Sequence, residues 1–404
     1  MNQNLDRMEN GTKPIAPAIV VCAFDRPSSL TRLLKSLAEA EYRGYTPTLH
    51  ISVDFSGTSK NEATIEIAKR FQWKHGECVV DIKTENLGLK KHVLSCGDLS
   101  AKYGSVIVLE DDLFVSPCFY LFAHQCVQEF GNHPRIAGIS LHRHRSNFNL
   151  NLPFDAADDG SDVFFMRVAQ SWGQLWTHSQ WKSFRHWLDA NPDAGNSAQL
   201  QPTVRGWGAK SWLKLFMAYL IENDLYMVYP RTSLTTNFSE AGTHVKRKRP
   251  LGQVPLMERI NTVRFPDSFD RSIRYDEFFE RQPESMRRWP LDLPPGDVDL
   301  NLYGAKSPDS IRKKFVIAPG DGSSAIASFP LQMRPLELNL LLPELPSVDL
   351  PLHLTLASNY KIANPLSYTS PHVCDYFLGH ANKRKMLKSF VNAFFEQLAS
   401  RLRR

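Results

Sequence analysis

A doubly wound α/β fold, with a mostly parallel central sheet flanked by helices, is what the sequence predicts. Three observations carry that expectation. Short apolar runs alternate with amphipathic helical stretches through roughly the first hundred residues. Val106–Leu109 is apolar without a break, as a strand buried on both faces requires. Glu110, Asp111 and Asp112 follow that run at its carboxyl end, where open parallel sheets place their ligands.

The elements follow in order. Ile19–Phe24 is the first apolar run, and a Pro-containing loop leads to Leu30, Leu33, Leu34 and Leu37 on one helical face, with Ser28 or Ser29 expected to cap the helix. "TLHISVDFSG" repeats the strand and loop, and "NEATIEIAKRFQWK" the helix. "CVVDIKTEN" is a third strand, "KKHVLSCGDLSAKYG" a further helix, and "SVIVLEDDL" the buried strand running into acids. From about residue 130 to 250 the text is mixed and rich in Trp; from about 290 to 370 Pro and short Leu-rich runs such as "LELNLLLPELP" predict a small β-rich appendage. The expected divisions are a disordered polar tail (1–14), a catalytic domain (15–260), a β-rich accessory region (261–375) and a terminal basic amphipathic helix (376–404).

Composition excludes several classes. The chain has 404 residues, 42% hydrophobic, with a formal net charge of +6, so a packed core is expected and global disorder is excluded. No apolar run approaches the ~18–20 residues of a membrane span, and no signal peptide is legible, so a cytoplasmic location is the expectation. Cys22, Cys78, Cys96, Cys118, Cys126 and Cys374 show neither CxxC nor Cys/His metal spacing and read as reduced thiols. Residues 380–404 carry Lys383, Arg384, Lys385, Lys388, Arg401, Arg403 and Arg404 against Glu396, which is the whole +6 excess. The rest is balanced, which argues against nucleic acid as a partner. In the same segment Met386, Leu387, Phe390, Val391, Phe394, Phe395, Leu398 and Leu402 recur at helical spacing, a pattern that suits peripheral contact with the inner face of a membrane, or docking on the protein's own core or a partner.

The acids are the strongest chemical signal. Alternation along a strand puts Glu110 and Asp112 on one face and Asp111 on the other. Hard oxygen donors at a strand's carboxyl end suit Mg2+ or Mn2+ held together with a diphosphate; the plainer alternative is a solvated acidic turn.

These residues fall in an ordered series. "VVCAFDRPSSLTRLLKSL", "SVDFSGTS", "TENLGLKKHVLSCGDLSAKYGSVIVLEDDL", "SWGQLWTHSQW" and "YPRTSLTTNFSEAGTHV" together resemble a family-2-type nucleotide-sugar glycosyltransferase with the Rossmann-like A-type glycosyltransferase fold, of the bacterial polysaccharide branch. The likeness spans about residues 17 to 245. The three-acid form is similar to one found among animal N-acetylglucosaminyltransferases.

The resemblance implies a metal-dependent, inverting transferase that moves a hexosyl or N-acetylhexosaminyl group. The donor would be a nucleoside-diphosphate sugar, a UDP-sugar in this pattern, and the acceptor a saccharide or a lipid-linked one, in polysaccharide or glycolipid synthesis. It implies that Asp112 holds the metal, with Asp111 and Glu110 on ribose or sugar hydroxyls or a metal-bound water. His244 would complete the metal shell or touch the diphosphate; its alternative is a surface histidine beside "VKRKR". Asp54 would receive the nucleotide's base or ribose, and Arg26, Asn86 and Lys91 would lie along the nucleotide; Arg26 could instead neutralise Asp25. Trp172, Gly173 and Trp176 would contact the sugar or the acceptor, with core packing the alternative. The family's catalytic acid is absent: Lys210 and Ser211 stand in its place, leaving Asp158, Asp159, Asp162 and Glu240 as open alternatives for the base. His142 and His144 ("HRHR") form no metal pair in this reading. Two other classes remain: a nucleotidyltransferase, which would normally need a Gly-rich loop after the first strand where "AFDRPSS" stands, and a degenerate transferase domain that only binds saccharide or a partner.

Overall fold

The computed structural model describes residues 16–197, 199–238, 252–342, 351–361, 365–367, 371–379, 384, 387, 388, 391 and 392. The first unit builds as the pattern dictates. Strand β1 (Ala18–Ala23) leads to helix α1 (Pro27–Ala38), β2 (Leu49–Val53) to α2 (Ser59–Arg70), and β3 (Cys78–Ile82) to α3 (Gly88–Asp98), the short α4 (Ser100–Tyr103) and β4 (Ser105–Glu110). Leu30, Leu33, Leu34 and Leu37 are all buried along α1. The cap differs from expectation: Pro27 stands at the first helical position with Arg26 as N-cap, and no side chain caps the end. Proline's fixed φ and missing N–H suit the first turn, so the helix begins earlier than either serine would start it.

The Trp-rich stretch continues the same sheet. It comprises β5 (Leu113–Val115), α5 (Phe119–Phe130), β6 (Ile136–Ser140), a hairpin of β7 (Ser146–Asn147) and β8 (Leu152–Pro153), β9 (Val163–Met166), β10 (Gln174–Thr177), α6 (His178–Ala190), α7 (Pro202–Arg205), α8 (Trp212–Glu222), β11 (Tyr226–Pro230) and β12 (Thr235–Asn237). With β13 (Arg274–Tyr275), the central sheet runs β13-β9-β11-β6-β10-β4-β1-β2-β3. Its β1/β2, β2/β3, β1/β4, β6/β11 and β9/β13 pairings are parallel, while β10 runs antiparallel to both neighbours and β9 antiparallel to β11. The fold is thus α/β, with a large, mostly parallel sheet flanked by helices.

Strand alternation divides the core. Ile19, Val21 and Ala23 pack with α1 and α5 on one face, and Val20 and Cys22 with α3, α6 and α8 on the other. On the second face Trp176 and Trp181 meet with ring centroids 4.5 Å apart, against Phe184 and Phe216. Outward from β1 the chain proceeds to β2 and β3, then crosses back to lay β4 on the other edge of β1. That reversal makes the β1/β4 crevice the sheet's switch point.

Beyond the sheet, β14 (Val298–Leu300), β15 (Phe315–Pro319), β16 (Ala327–Phe329) and β17 (Leu352–Leu356) form a four-stranded sheet ordered β14-β15-β17-β16, followed by α9 (Pro371–Leu378). Leu300 and Leu354 share one hydrophobic cluster with Phe164 and Trp176, so this sheet is packed onto the main core. Within "LELNLLLPELP", Leu336–Leu341 forms a 3-10 helix rather than a strand, with Leu336 and Leu340 turned into the core. No helix among the described residues is long and apolar enough to cross a membrane.

The α3–α6 contact has no slack, because a Cβ at Gly97 would overlap the Trp181 ring. Gly97→Ala should therefore cost about 1–3 kcal/mol or more through overpacking, read as a lower urea midpoint at unchanged slope.

Candidate functional site

The site is assembled where β1 and β4 end side by side. Ala18–Cys22 of β1 pair in register with Val106–Glu110 of β4, so the residues after each strand emerge together. The strand stops at Glu110, and Asp111 and Asp112 occupy a turn before β5. Strict alternation therefore fails: Asp111 and Asp112 do not face apart but reach the same cation. The Arg26 guanidinium contacts the Asp111 carboxylate and donates to Asp112 Oδ2 at 2.8 Å. Arg26 serves these acids rather than Asp25, which is possible because Pro27 places it at the first turn of α1, pointing back across the crevice. Asp111 Oδ2 also accepts the Phe24 N–H at 3.3 Å, and Asp112 Oδ1 accepts from Asn237 Nδ2 at 3.0 Å. Asn237 belongs to β12, paired antiparallel with β5, so a late segment of chain closes on the acid turn. Sequence reading passed over Asn237, although it lies inside the "TTNF" text that carried the resemblance.

Arg26 contacts two of the three carboxylates, and both burial and mutual repulsion act on the set. Burial, reinforced by Asp112 and Asp111 and only partly offset by Arg26, pushes Glu110 up to about 8. Burial likewise lifts Asp111 to about 6, against the pull of Arg26. Burial opposes the Arg26 charge, but Asp111, Asp112 and Glu110 outweigh it and raise the guanidinium above its ordinary value. A cation already stands in this hard-oxygen set, in the form of Arg26, and two negative charges remain uncompensated when all three acids ionise. The donor chemistry therefore fits a divalent cation such as Mg2+ or Mn2+.

Asp54 follows β2 directly and is held by the chain itself. Its carboxylate is 3% exposed and accepts backbone N–H groups from Phe55 at 3.0 Å, Leu87 at 2.9 Å and Gly88 at 3.0 Å. It is committed to the chain's own backbone, tying the end of β2 to the N-terminus of α3, which favours an anion there. It positions the start of α3 against the end of β2. Asn86 and Lys91 are exposed beside that terminus. Phe55, missed in the sequence, exposes 40% of its surface after the carboxyl end of β2, and Leu89 exposes 41% at the start of α3. A bulky ring left in water directly after a buried strand is the signal that identifies Phe55.

The tryptophans separate. Trp176 is fully buried against Trp181, Trp212 and Phe216, so the expectation of a sugar contact is corrected: it is core. Trp172 is half-buried, braced edge-on by His142 at 4.8 Å between centroids, and its carbonyl accepts from Thr235 Oγ1 at 2.5 Å. Gly173 is buried at φ +98, and a Cβ there would sit 2.9 Å from Thr235 Cγ2, so its role is to let the chain turn between Trp172 and β10. Ser171, next to Trp172, hydrogen-bonds Glu110, which brings Trp172 to the acid end of β4. Burial lowers His142 to about 4 and His144 to about 3, leaving both neutral packing groups.

The remaining candidates lie elsewhere. His244 and Glu240 fall outside the described residues. Asp158 and Asp159 are tied to Arg231 and Asp162 to Arg264, at 3.5, 2.8 and 2.7 Å. Burial works to raise Asp159 and Asp162, but hydrogen bonds from Ser161 and Arg264 respectively, with the nearby arginine charges, hold them below the usual carboxylate range, the wrong direction for a base. A separate charged cleft, lined by Arg135, Arg167, Asp224, Glu277 and Lys306 among others, opens at the amino ends of β6 and β11, opposite to the acids. Its charges are mutually paired, Arg167 with Glu277 and Lys306 with Asp276.

No family model matches the sequence, and no curated protein sequence does. Among solved structures the chain is similar to residues 1–349 of S. aureus TarS, at 13% identity over 54% of this chain and 59% of that one, with a TM-score of 0.35. The same fragment in complex with UDP-GlcNAc gives 14%, 56%, 60% and 0.36. GalNAc-T7 with UDP, GalNAc and Mn2+ gives 12%, 55%, 43% and 0.37. The chain thus spans less than two thirds of each of these structures.

The raised Glu110 sets a pH dependence. Between about pH 5 and 8 the unfolded chain ionises this group while the folded one keeps its proton, so stability falls as pH rises through that window. Urea denaturation from pH 5 to 9 should show the loss, on the order of 2 kcal/mol, and Glu110→Gln should remove most of it.

Proposed function

We propose that the protein is a glycosyltransferase that uses a nucleoside-diphosphate sugar, a UDP-sugar by the pattern of its motifs, with a divalent cation and a saccharide or lipid-linked acceptor. One observation carries the reading: the Arg26–Asp111–Asp112 cluster lies at the carboxyl ends of β1 and β4, at the switch point of a mostly parallel sheet. Glycosyl transfer releases a diphosphate, and groups that favour its negative charge are the catalysts such a reaction needs. Asp112, with Asp111, would hold the cation, which would offset charge on the departing diphosphate. Arg26 is the chain's own cation beside that position and would contribute to the same charge. Phe55 offers an exposed aromatic face to the nucleobase, and Trp172 an indole face to the sugar or acceptor.

A nucleotidyltransferase is disfavoured by the loop after β1. Phe24, Asp25 and Arg26 contain no glycine, and Pro27 removes one of the amides that would cradle phosphates at the start of α1. Synthesis of a cell-surface polysaccharide or glycolipid, and an attachment of residues 380–404 to an anionic bilayer, belong to the same proposal; Leu387 and Val391 within that segment are exposed at 66% and 44%.

Calorimetric titration with UDP tests the reading. Binding should depend on Mn2+, and Asp112→Asn should weaken it at least tenfold, or about 1.4 kcal/mol. Phe55→Ala should weaken it by about 1 kcal/mol if the ring stacks on the base. Mn2+-independent binding, indifferent to Asp112→Asn, would defeat the enzyme reading. Deleting residues 380–404 should abolish co-sedimentation with vesicles containing phosphatidylglycerol; unchanged co-sedimentation would remove the membrane role.

A further inference from the structure

Below the acid turn, on the face of the sheet that α3 covers, a second ligand set converges. His92 and Cys96 are four apart in α3 and so share one helical face, turned toward the sheet. Cys22 points to them from β1. The Cys22 Sγ lies 3.2 Å from His92 Nδ1, and the donor atoms of Cys22, His92 and Cys96 all lie within 4.8 Å of one another. This is the one such group among the described residues. The three residues are 7, 3 and 1% exposed.

We propose that Cys22, His92 and Cys96 bind a soft divalent cation of the zinc type. The donor set is two sulfurs and one imidazole nitrogen, the chemistry that selects zinc over magnesium or manganese. Tetrahedral zinc at about 2.3 Å from sulfur and 2.0–2.1 Å from nitrogen holds its donors about 3.5–3.8 Å apart, within roughly an ångström of the present spread. Two thiolates and a dication sum to zero, which suits so enclosed a place.

The surroundings fix the imidazole as a ligand needs. His92 Nε2 lies 2.9 Å from Ser52 Oγ, and Ser52 Oγ donates toward Asp81 Oδ2 at 3.5 Å. With Nε2–H donating to the serine, Nδ1 presents its lone pair to the two sulfurs, the arrangement in which an outer oxygen orients a metal-bound histidine. Three protein donors leave a fourth position open. The cation would join β1 to α3, and both elements serve the crevice: the Cys22 carbonyl accepts the Asp111 N–H at 3.2 Å, and the first residues of α3 hold Asp54. The site is sequence-distant, seventy residues separating Cys22 from His92, which is why no spacing motif announces it.

The proposal rests on neither the acids nor a nucleotide, and its test involves neither. The reduced, chelator-treated full chain would be titrated with Co2+, whose thiolate charge-transfer band and intense tetrahedral d–d bands report sulfur ligation, and then with Zn2+. One equivalent of Co2+ should develop both bands, and one equivalent of Zn2+ should bleach them. Cys126→Ser, a buried thiol on the other face, should leave them unchanged, whereas Cys22→Ser or Cys96→Ser should lower the charge-transfer intensity by half or more and the affinity at least tenfold. His92→Gln keeps both thiols and should shift the d–d bands and weaken binding, which keeps the test valid where circular dichroism shows a serine variant misfolded. No charge-transfer band in the intact chain, or the same bands and affinity in all three ligand variants, would overturn the proposal.

Discussion

The contact of Arg26 with Asp111 and Asp112 is the interaction on which the arrangement at the carboxyl end of the sheet depends. Three consecutive acids directly after a buried strand would repel one another, and one guanidinium makes their proximity tolerable. Everything nearby serves that contact. Pro27 begins α1 at once, so Arg26 stands at the helix end rather than within it; the β1/β4 register places the arginine opposite the acids; and Asn237 closes Asp112 from the far side. The compensation is incomplete: burial first, and then the neighbouring acids, lift Glu110 and Asp111 in spite of Arg26.

Much of this was legible beforehand because local patterns decide it. Strand and helix alternation through β4, the buried Leu face of α1 and the acids at the end of β4 are all short-range signals. What failed was tertiary. Trp176 reads as an aromatic fit for a sugar, but only the packing of α6 and α8 reveals that it is enclosed. Asp54 stands at a strand end as a ligand-binding acid would, yet the N-terminus of α3 returns to claim its oxygens. The Leu-rich 336–341 segment has the composition of a strand and the backbone of a 3-10 helix, since a Pro-bounded segment of six residues can bury its leucines without a sheet partner. Cys22, His92 and Cys96 look like scattered core residues until α3 is laid on β1.

Two chemically distinct donor sets therefore flank the same strand. Hard oxygens gather at its carboxyl end, while sulfur and imidazole gather below, on the face that α3 covers. Cys22 pairs in register with Glu110, so the two sets are neighbours across one strand pairing. Phe55 follows β2, the parallel neighbour of β1, so an exposed aromatic ring stands one strand away from the guanidinium and the acids.

The most direct test of the central claim is anomalous diffraction from crystals soaked with Mn2+ and UDP. A manganese peak should stand against Asp112, with Arg26 drawn from the carboxylates toward the diphosphate. A manganese peak elsewhere, or UDP bound away from the β1/β4 crevice with the arginine contact intact, would contradict it.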